Sequence, residues 1–351
     1  MVYIIQKTLH IHLLALINKS MLSIFKIFQD LNNETNSNID SFTIANLPKI
    51  KNHKIGLSKD NLPLFFIKCE DETNEKTLDY NLESISIQFN QKCQLVSNDK
   101  KVADGVYTII ALKTDSVDLQ EYFLNILYFV LLKLPTIAKL KELKIEVEKL
   151  ISLFNKFSKL PTKTIQGLWA ELLVIEQSSN PEYLIKAWHF SPTDKFDFND
   201  GIDKIEVKST AKSRRIHNFS LEQLNPNKNS KLIIASVFAV ETGKGKTIFD
   251  LVKLIDDKVK NKEIVFRINE VLLDTLGRDF EKSFEHYFDY QLAVDSLAFF
   301  DSELVPKIDD LFIRQEISNI HFDCDLSNIE ELKKIATNSL LHKSLMKRKI
   351  S

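Results

Sequence analysis

Residues 195–208, KFDFNDGIDKIEVK, constrain the fold more than any other stretch of the chain. Asp200-Gly201 signals a two-residue turn between antiparallel strands. Apolar and charged residues alternate on both sides of it. A hairpin closed at that turn makes Asp197 face Lys204, with Glu206 as its diagonal neighbour. Period two then puts Asp197, Lys204, Glu206 and Lys208 on one face, and Phe196, Phe198, Ile205 and Val207 on the core face. Register alone brings two carboxylates to a lysine.

Two carboxylates at the centre of a sheet repel unless a hard cation lies between them. Mg²⁺, with Mn²⁺ as a substitute, accepts such an oxygen site and keeps several waters. It polarises a phosphate oxygen and lowers the pKa of a bound water. The Val207 carbonyl lies between the two charged side chains and is a further candidate ligand. Lys208 is placed to orient the water or to stabilise charge that builds up at phosphorus. Metal-assisted phosphodiester hydrolysis needs these parts.

The flanking sequence supplies a setting. Residues 163–178 show helical spacing, with Leu168, Leu172 and Ile175 on one face. Strand-like runs follow at 185–190, 195–198, 203–210 and 231–240, with a short helix around Ser220–Leu224. The order is that of an α/β unit with a mixed sheet. Upstream, 62–69, 82–89, 93–97 and 106–113 read as strands of an antiparallel β region, with a turn at Asp104-Gly105. Residues 117–134 and 137–158 read as helices, as do 248–260 and 266–290. The expected organisation is an N-terminal β region over 1–115, a helical connector over 116–162, a core over 163–262, and a mixed C-terminal region over 263–351. Polar residues 33–40 suggest a loop.

Asp197, eight intervening residues and Glu206-Val207-Lys208 resemble the PD-(D/E)XK nuclease signature. The element order is similar to the core of that restriction-endonuclease-like superfamily. GLWAELL (167–173), the Asp-Phe of KFDF, EVKST and RIHNFSLEQL (215–224) together resemble an uncharacterised bacterial family of PD-(D/E)XK motif proteins, found near restriction and phage-defence genes. Phe196, not proline, precedes Asp197 here. The resemblance implies an α/β, restriction-endonuclease-like core with a central mixed sheet flanked by helices. It adds Glu171, on the leading helix, as a ligand acting directly or through water, and Gln223 as a polar partner on the helix after the third core strand. It implies a Mg²⁺-dependent DNA endonuclease, with DNA methyltransferase and ATPase subunits as candidate partners and a homodimer as a candidate assembly. The alternative is a non-catalytic DNA-binding or scaffold subunit.

Charge supports a nucleic-acid partner locally. Residues 204–217 carry five Lys or Arg against one Glu, in a chain of net charge −1. Lys212, Arg214, Arg215 and His217 are therefore candidates for phosphate contacts. Cys69, Cys93 and Cys324 lie far apart without CxxC spacing, which suggests a reducing, cytoplasmic setting and no zinc site. No apolar run reaches the ~20 residues that a bilayer requires. The first twenty residues lack a cleavage signal and read as a first helix, or as an extension ahead of a start at Met21. GKGKT (243–247) imitates a phosphate-binding loop, but Val240 stands where the first glycine belongs. Trp169 and Trp188 are expected in the core.

Overall fold

Asp200-Gly201 does close a hairpin, but two residues out of the simplest register. Phe198 pairs with Ile205 and Asn199 with Lys204. The turn runs from Asp200 to Asp203. Asp200 Oδ1 accepts from the N–H groups of Ile202 at 3.0 Å and Asp203 at 2.9 Å, and Gly201 takes a φ of 90°. The aspartate side chain thus substitutes for a backbone partner and stabilises a longer turn than the Asp-Gly pair alone suggests. A slip of two residues keeps every side chain on its face, whereas a slip of one would exchange the faces. Asp197 therefore stays on the face of Glu206. Carried one residue further, the observed register brings the two level instead of diagonal.

A computed structural model describes residues 24–33, 42–70, 78–97, 102–135, 138–158, 160–188, 194–227, 229–309, 313–314, 316–333, 335 and 338–345. Both candidate starts and most of the 33–40 loop lie outside these residues. The chain divides into two compact units, Met1–Asn155 and Lys156–Ser351. The helices expected as a connector thus fall in the first unit, and the C-terminal region is part of the second.

In the first unit, β1 (Phe42–Asn46), β2 (Lys54–Leu57), β3 (Pro63–Ile67), β4 (Tyr80–Asn81), β5 (Ile85–Ser97) and β6 (Val102–Leu112) form one sheet. Its order is β1-β2-β3-β6-β5-β4, and a parallel pairing of β1 with β5 closes five of the strands into a ring. The two runs 82–89 and 93–97 belong to the single strand β5. An extra residue between Gln88 and Gln91 bends it, with Asn90 at a φ of 53°. Beyond the bulge, Cys93 and Leu95 pack with Leu64, Phe66, Tyr107 and Ile109. Asp104-Gly105 is no turn: the two residues pair with Gln94 and Cys93 inside the ladder. A Cβ on Gly105 would lie 2.7 Å from the Tyr107 ring, so a larger residue would have to displace that ring. Helix α1 is described over 24–33, followed by α2 (Val117–Lys133) and α3 (Leu140–Phe154). Phe123 of α2 meets Phe154 of α3 with ring centroids 4.5 Å apart.

The second unit starts with α4 (Ile165–Gln177) and α5 (Pro181–Ala187). Of the run 185–190, expected as a strand, residues 185–187 end α5, and residues 189–190 lie outside the described residues. Asn180 caps that helix, accepting from Tyr183 N at 3.2 Å, and Pro181 opens its first turn. Only Trp188 keeps a bridge, to Phe198. Then come β7 (Phe198–Asn199), β8 (Lys204–Thr210), β9 (Ile216–Ser220), α6 (Leu221–Leu224), β10 (Leu232–Phe238) and β11 (Glu241–Thr242). After them lie α7 (Ile248–Lys258), α8 (Lys262–Leu276), β12 (Tyr287–Phe288), α9 (Tyr290–Ser296), β13 (Ala298–Asp301), β14 (His321–Asp325) and α10 (Leu340–Ser344). The helical reading of 266–290 breaks at Gly277, which caps α8 at a φ of 47°.

The central sheet of this unit has the order β13-β10-β8-β7. β8 and β10 are parallel, while β7 and β13 run antiparallel to their neighbours, so the sheet is mixed. A strand near the C-terminus thus completes the sheet that carries the EVK segment. Helix α4 packs on β8 and also meets α5, α7 and α8. Its residues 168–176 are all buried, so no face is left for solvent. Glu171 and Glu176 therefore need partners inside the protein.

Candidate active site

Strand β8 sets out the site. Lys204 N donates to Lys231 O at 2.9 Å, so alternate residues from 204 turn their backbone polar groups toward β10. Residues 205 and 207 turn theirs to the β7 edge. That edge has no ladder partner for Val207, because β7 begins only at Phe198. Asp197 fills the gap: its Oδ2 accepts from Val207 N at 2.8 Å. In an extended strand the carbonyl of a residue points to the same edge as its N–H. The Val207 carbonyl therefore faces the Asp197 side.

Glu206, Lys208 and Gln223 form a tight triad. Lys208 Nζ lies 2.9 Å from Glu206 Oε1 and donates to Gln223 Oε1 at 2.9 Å. Gln223 Nε2 donates to the same Glu206 Oε1 at 2.5 Å. Gln223 is held by its helix: its side chain accepts from Ser220 N and its own N–H bonds to Ser220 Oγ, a capping box that opens α6. Lys208 also lies over the Phe219 ring, 4.9 Å from the centroid. Three elements thus aim one ammonium.

Glu171 and Asp197 are joined by a residue the sequence did not single out, Lys163. Its Nζ lies 2.6 Å from Glu171 Oε1 and 2.5 Å from Asp197 Oδ1. Trp188 Nε1 donates to the other Glu171 oxygen at 2.7 Å. Trp188 is buried as expected, and so is Trp169, whose Nε1 donates to Lys246 O at 2.9 Å. Lys163 stands just before Thr164, the cap of α4, where a cation opposes the helix dipole. That misplacement, offset by two carboxylates, is the one signal that could have exposed it.

Burial sets the electrostatics. Glu171, Asp197 and Glu206 are 3%, 9% and 2% exposed. Burial, with the Asp197 charge added, pushes Glu206 up to about 7 and Glu171 up to about 8, against the pull of their lysines. Asp197 goes the other way. Burial works against its charge, but the Lys163 ammonium and the Val207 N–H outweigh that and hold it below the usual carboxylate range. Glu206 Oε2 is buried and has no hydrogen-bond partner among the described residues. A buried carboxylate oxygen left without a donor costs about 1–3 kcal/mol or more.

The donor set fits a hard divalent cation: the orphaned Glu206 Oε2, the Asp197 carboxylate and the Val207 carbonyl are all oxygens. Among the described residues, however, no three His, Cys, Asp or Glu side chains are drawn together around one point. Lys163 occupies the space between Glu171 and Asp197.

The basic loop after β8 divides. Lys212 and Arg214 are exposed, and Arg214 pairs with Asp325. Arg215 turns inward. Its Nη1 donates to Ser236 O at 3.0 Å and Ser236 Oγ at 2.9 Å, Nη2 donates to Ser296 O, and the guanidinium lies over the Phe238 ring. His217 is 3% exposed, with Nε2 2.7 Å from Ser236 Oγ. Burial, helped by the Lys208 and Arg215 charges, lowers it to about 4, so it is neutral at pH 7. Arg215 and His217 are thus built into the fold, unlike the exposed phosphate-contact side chains that their sequence neighbourhood suggests. In the GKGKT loop, Lys246 N and O bond to Phe288 O and N at 3.0 and 3.1 Å. That backbone cannot also cradle a phosphate. No helix among the described residues is long and apolar enough to cross a membrane, and all three cysteines are free.

A sequence family described as “Putative PD-(D/E)XK family member” matches residues 24–327. Neither a curated protein nor a solved structure matches the chain.

Proposed function

We propose that this chain, which belongs to that PD-(D/E)XK family, is a divalent-metal-dependent DNA endonuclease. The observation that carries the reading is Glu206 Oε2, a buried carboxylate oxygen without a donor among the described residues, beside Asp197 and Lys208. A structural ion pair would have no reason to leave it so. Asp197, Glu206 and the Val207 carbonyl hold the cation, Mg²⁺ in this reading, and Glu171 supports them directly or through a water. The cation supplies a polarised phosphate oxygen and a water of lowered pKa.

The remaining work falls to the chain itself. Lys208, held by Gln223 and Glu206, orients the attacking water or stabilises charge on the phosphoryl oxygens. Its side chain is 17% exposed, so its ammonium can reach substrate without leaving its holders. Lys212 and Arg214, on the exposed loop, contact the DNA backbone and position it. The core is that of the restriction-endonuclease-like fold, which the mixed sheet and buried α4 support.

The test is cleavage of plasmid DNA by purified protein with Mg²⁺ or Mn²⁺, comparing wild type with Asp197→Ala and Lys208→Ala. Loss in both variants supports the reading. Cleavage equal in all three would sink it. A protein that binds DNA but never cuts it would instead be a DNA-binding or scaffold subunit. A role in restriction or phage defence rests on the family resemblance. Its test is phage plating on cells that express wild type or Lys208→Ala.

A further inference from the structure

We infer that Lys163 is a tethered counter-ion, holding the place between Glu171 and Asp197 until a divalent cation displaces it. The inference rests on the metal-dependent reading above and adds a residue to it. Each oxygen of the two carboxylates is already engaged. Glu171 accepts from Lys163 at Oε1 and from Trp188 at Oε2. Asp197 accepts from Lys163 at Oδ1 and from Val207 N at Oδ2. The Val207 and Trp188 donors belong to a strand and to the core, and neither can leave. Lys163 can. It lies in the segment 160–164, ahead of the first turn of α4, and its side chain is 31% exposed. A cation on Asp197 Oδ1 would sit beside the Lys163 ammonium, 2.5 Å from the same oxygen, and like-charge repulsion would favour the departure of the lysine.

Charge favours the exchange. Two buried carboxylates that face each other with nothing between them repel strongly. A lysine on a flexible stem keeps them together without fixing the geometry. A divalent ion adds one charge more than the ammonium it replaces and can also draw in Glu206 Oε2, which Lys163 leaves without a partner. The released ammonium stays tethered at the rim of the site. The competing view is a permanent structural ion pair. Removing the lysine would then weaken the site, or leave metal binding as it was.

The two views separate by calorimetric titration with Mn²⁺, without DNA, of wild type, Lys163→Met and Glu206→Gln. Lys163→Met is expected to bind Mn²⁺ at least about tenfold more tightly than wild type, because it has no competitor to expel. Affinity equal to or weaker than wild type, with the circular dichroism spectrum unchanged, overturns the inference. A second measurement uses wild type alone. Acetic anhydride labelling, read by mass spectrometry, is expected to rise several-fold at Lys163 when Mg²⁺ saturates the protein. Labelling that ignores Mg²⁺ overturns the inference, and this result decides if Lys163→Met does not fold. If wild type binds no Mn²⁺ at all, the metal-dependent reading falls and takes this one with it. If wild type binds Mn²⁺ through Glu206 while Lys163→Met binds equally well, only the role of Lys163 falls.

Discussion

Gln223 and Lys208 are joined by a single bond, from Nζ to Oε1 at 2.9 Å, while the other end of the same amide holds Glu206 Oε1 at 2.5 Å. The amide thus fixes where both charged groups point. Gln223→Leu removes both contacts and keeps the bulk. Single-turnover DNA cleavage is expected to fall about 10- to 100-fold, the usual cost of losing a group that orients a metal ligand. Loss of the capping box lowers stability by only about 1 kcal/mol, so the melting temperature should move little. A cleavage rate equal to wild type would reduce Gln223 to a helix cap.

Glu206 should cost the metal-free protein stability at neutral pH. Its folded pKa, about 7, lies above the ordinary 4.5. A raised carboxylate contributes stability that is full below the unfolded value and lost as pH rises through the folded one. In the presence of chelator, Glu206→Gln is therefore expected to melt higher than wild type at pH 8, by on the order of 1–3 kcal/mol. The gap should close toward pH 4.5. Added Mn²⁺ should stabilise wild type and not the variant. A variant less stable than wild type at pH 8 would contradict the assignment.

Trp188 is a donor as well as a core ring. Trp188→Phe keeps the stack on Phe198, whose centroid lies 6.4 Å away, but leaves Glu171 Oε2 without its indole donor. The orphaned buried oxygen should cost about 1–3 kcal/mol, read as a lower urea midpoint. An unchanged midpoint would mean that this bond adds nothing.

Gly245 carries a structural load that its phosphate-loop look conceals. A Cβ there would lie 2.2 Å from Phe288 O. Gly245→Ala must therefore push apart the paired Lys246 and Phe288, and a loss of about 2 kcal/mol in thermal unfolding is expected. A variant as stable as wild type would show that the loop gives way freely.

The convergence of Asp197, Glu206 and Lys208 was legible in the sequence even though the register was not. Side-chain faces survive a shift of two residues, and the Asx turn at Asp200 imposed just such a shift. The start of the run at 185–190 misled because a short apolar run is ambiguous between strand and helix. The Asn180 cap and Pro181 decided it for helix. Lys163 was out of reach for a different reason. It lies in no periodic element, and 34 positions separate it from the aspartate it contacts. The inward turn of Arg215 depends on Ser236 and Ser296, which no local pattern connects to it.

The ring in the first unit imposes an order of events on folding. Phe42–Ile44 pairs with Leu95–Ser97, and the path between them through the sheet runs by β2, β3 and β6, so the ring is complete only when β6 is in place. The long-range closing step must meet its loop entropy before its contacts offset it. A nascent chain therefore cannot close this ring until Leu112, the end of β6, has emerged from the ribosome.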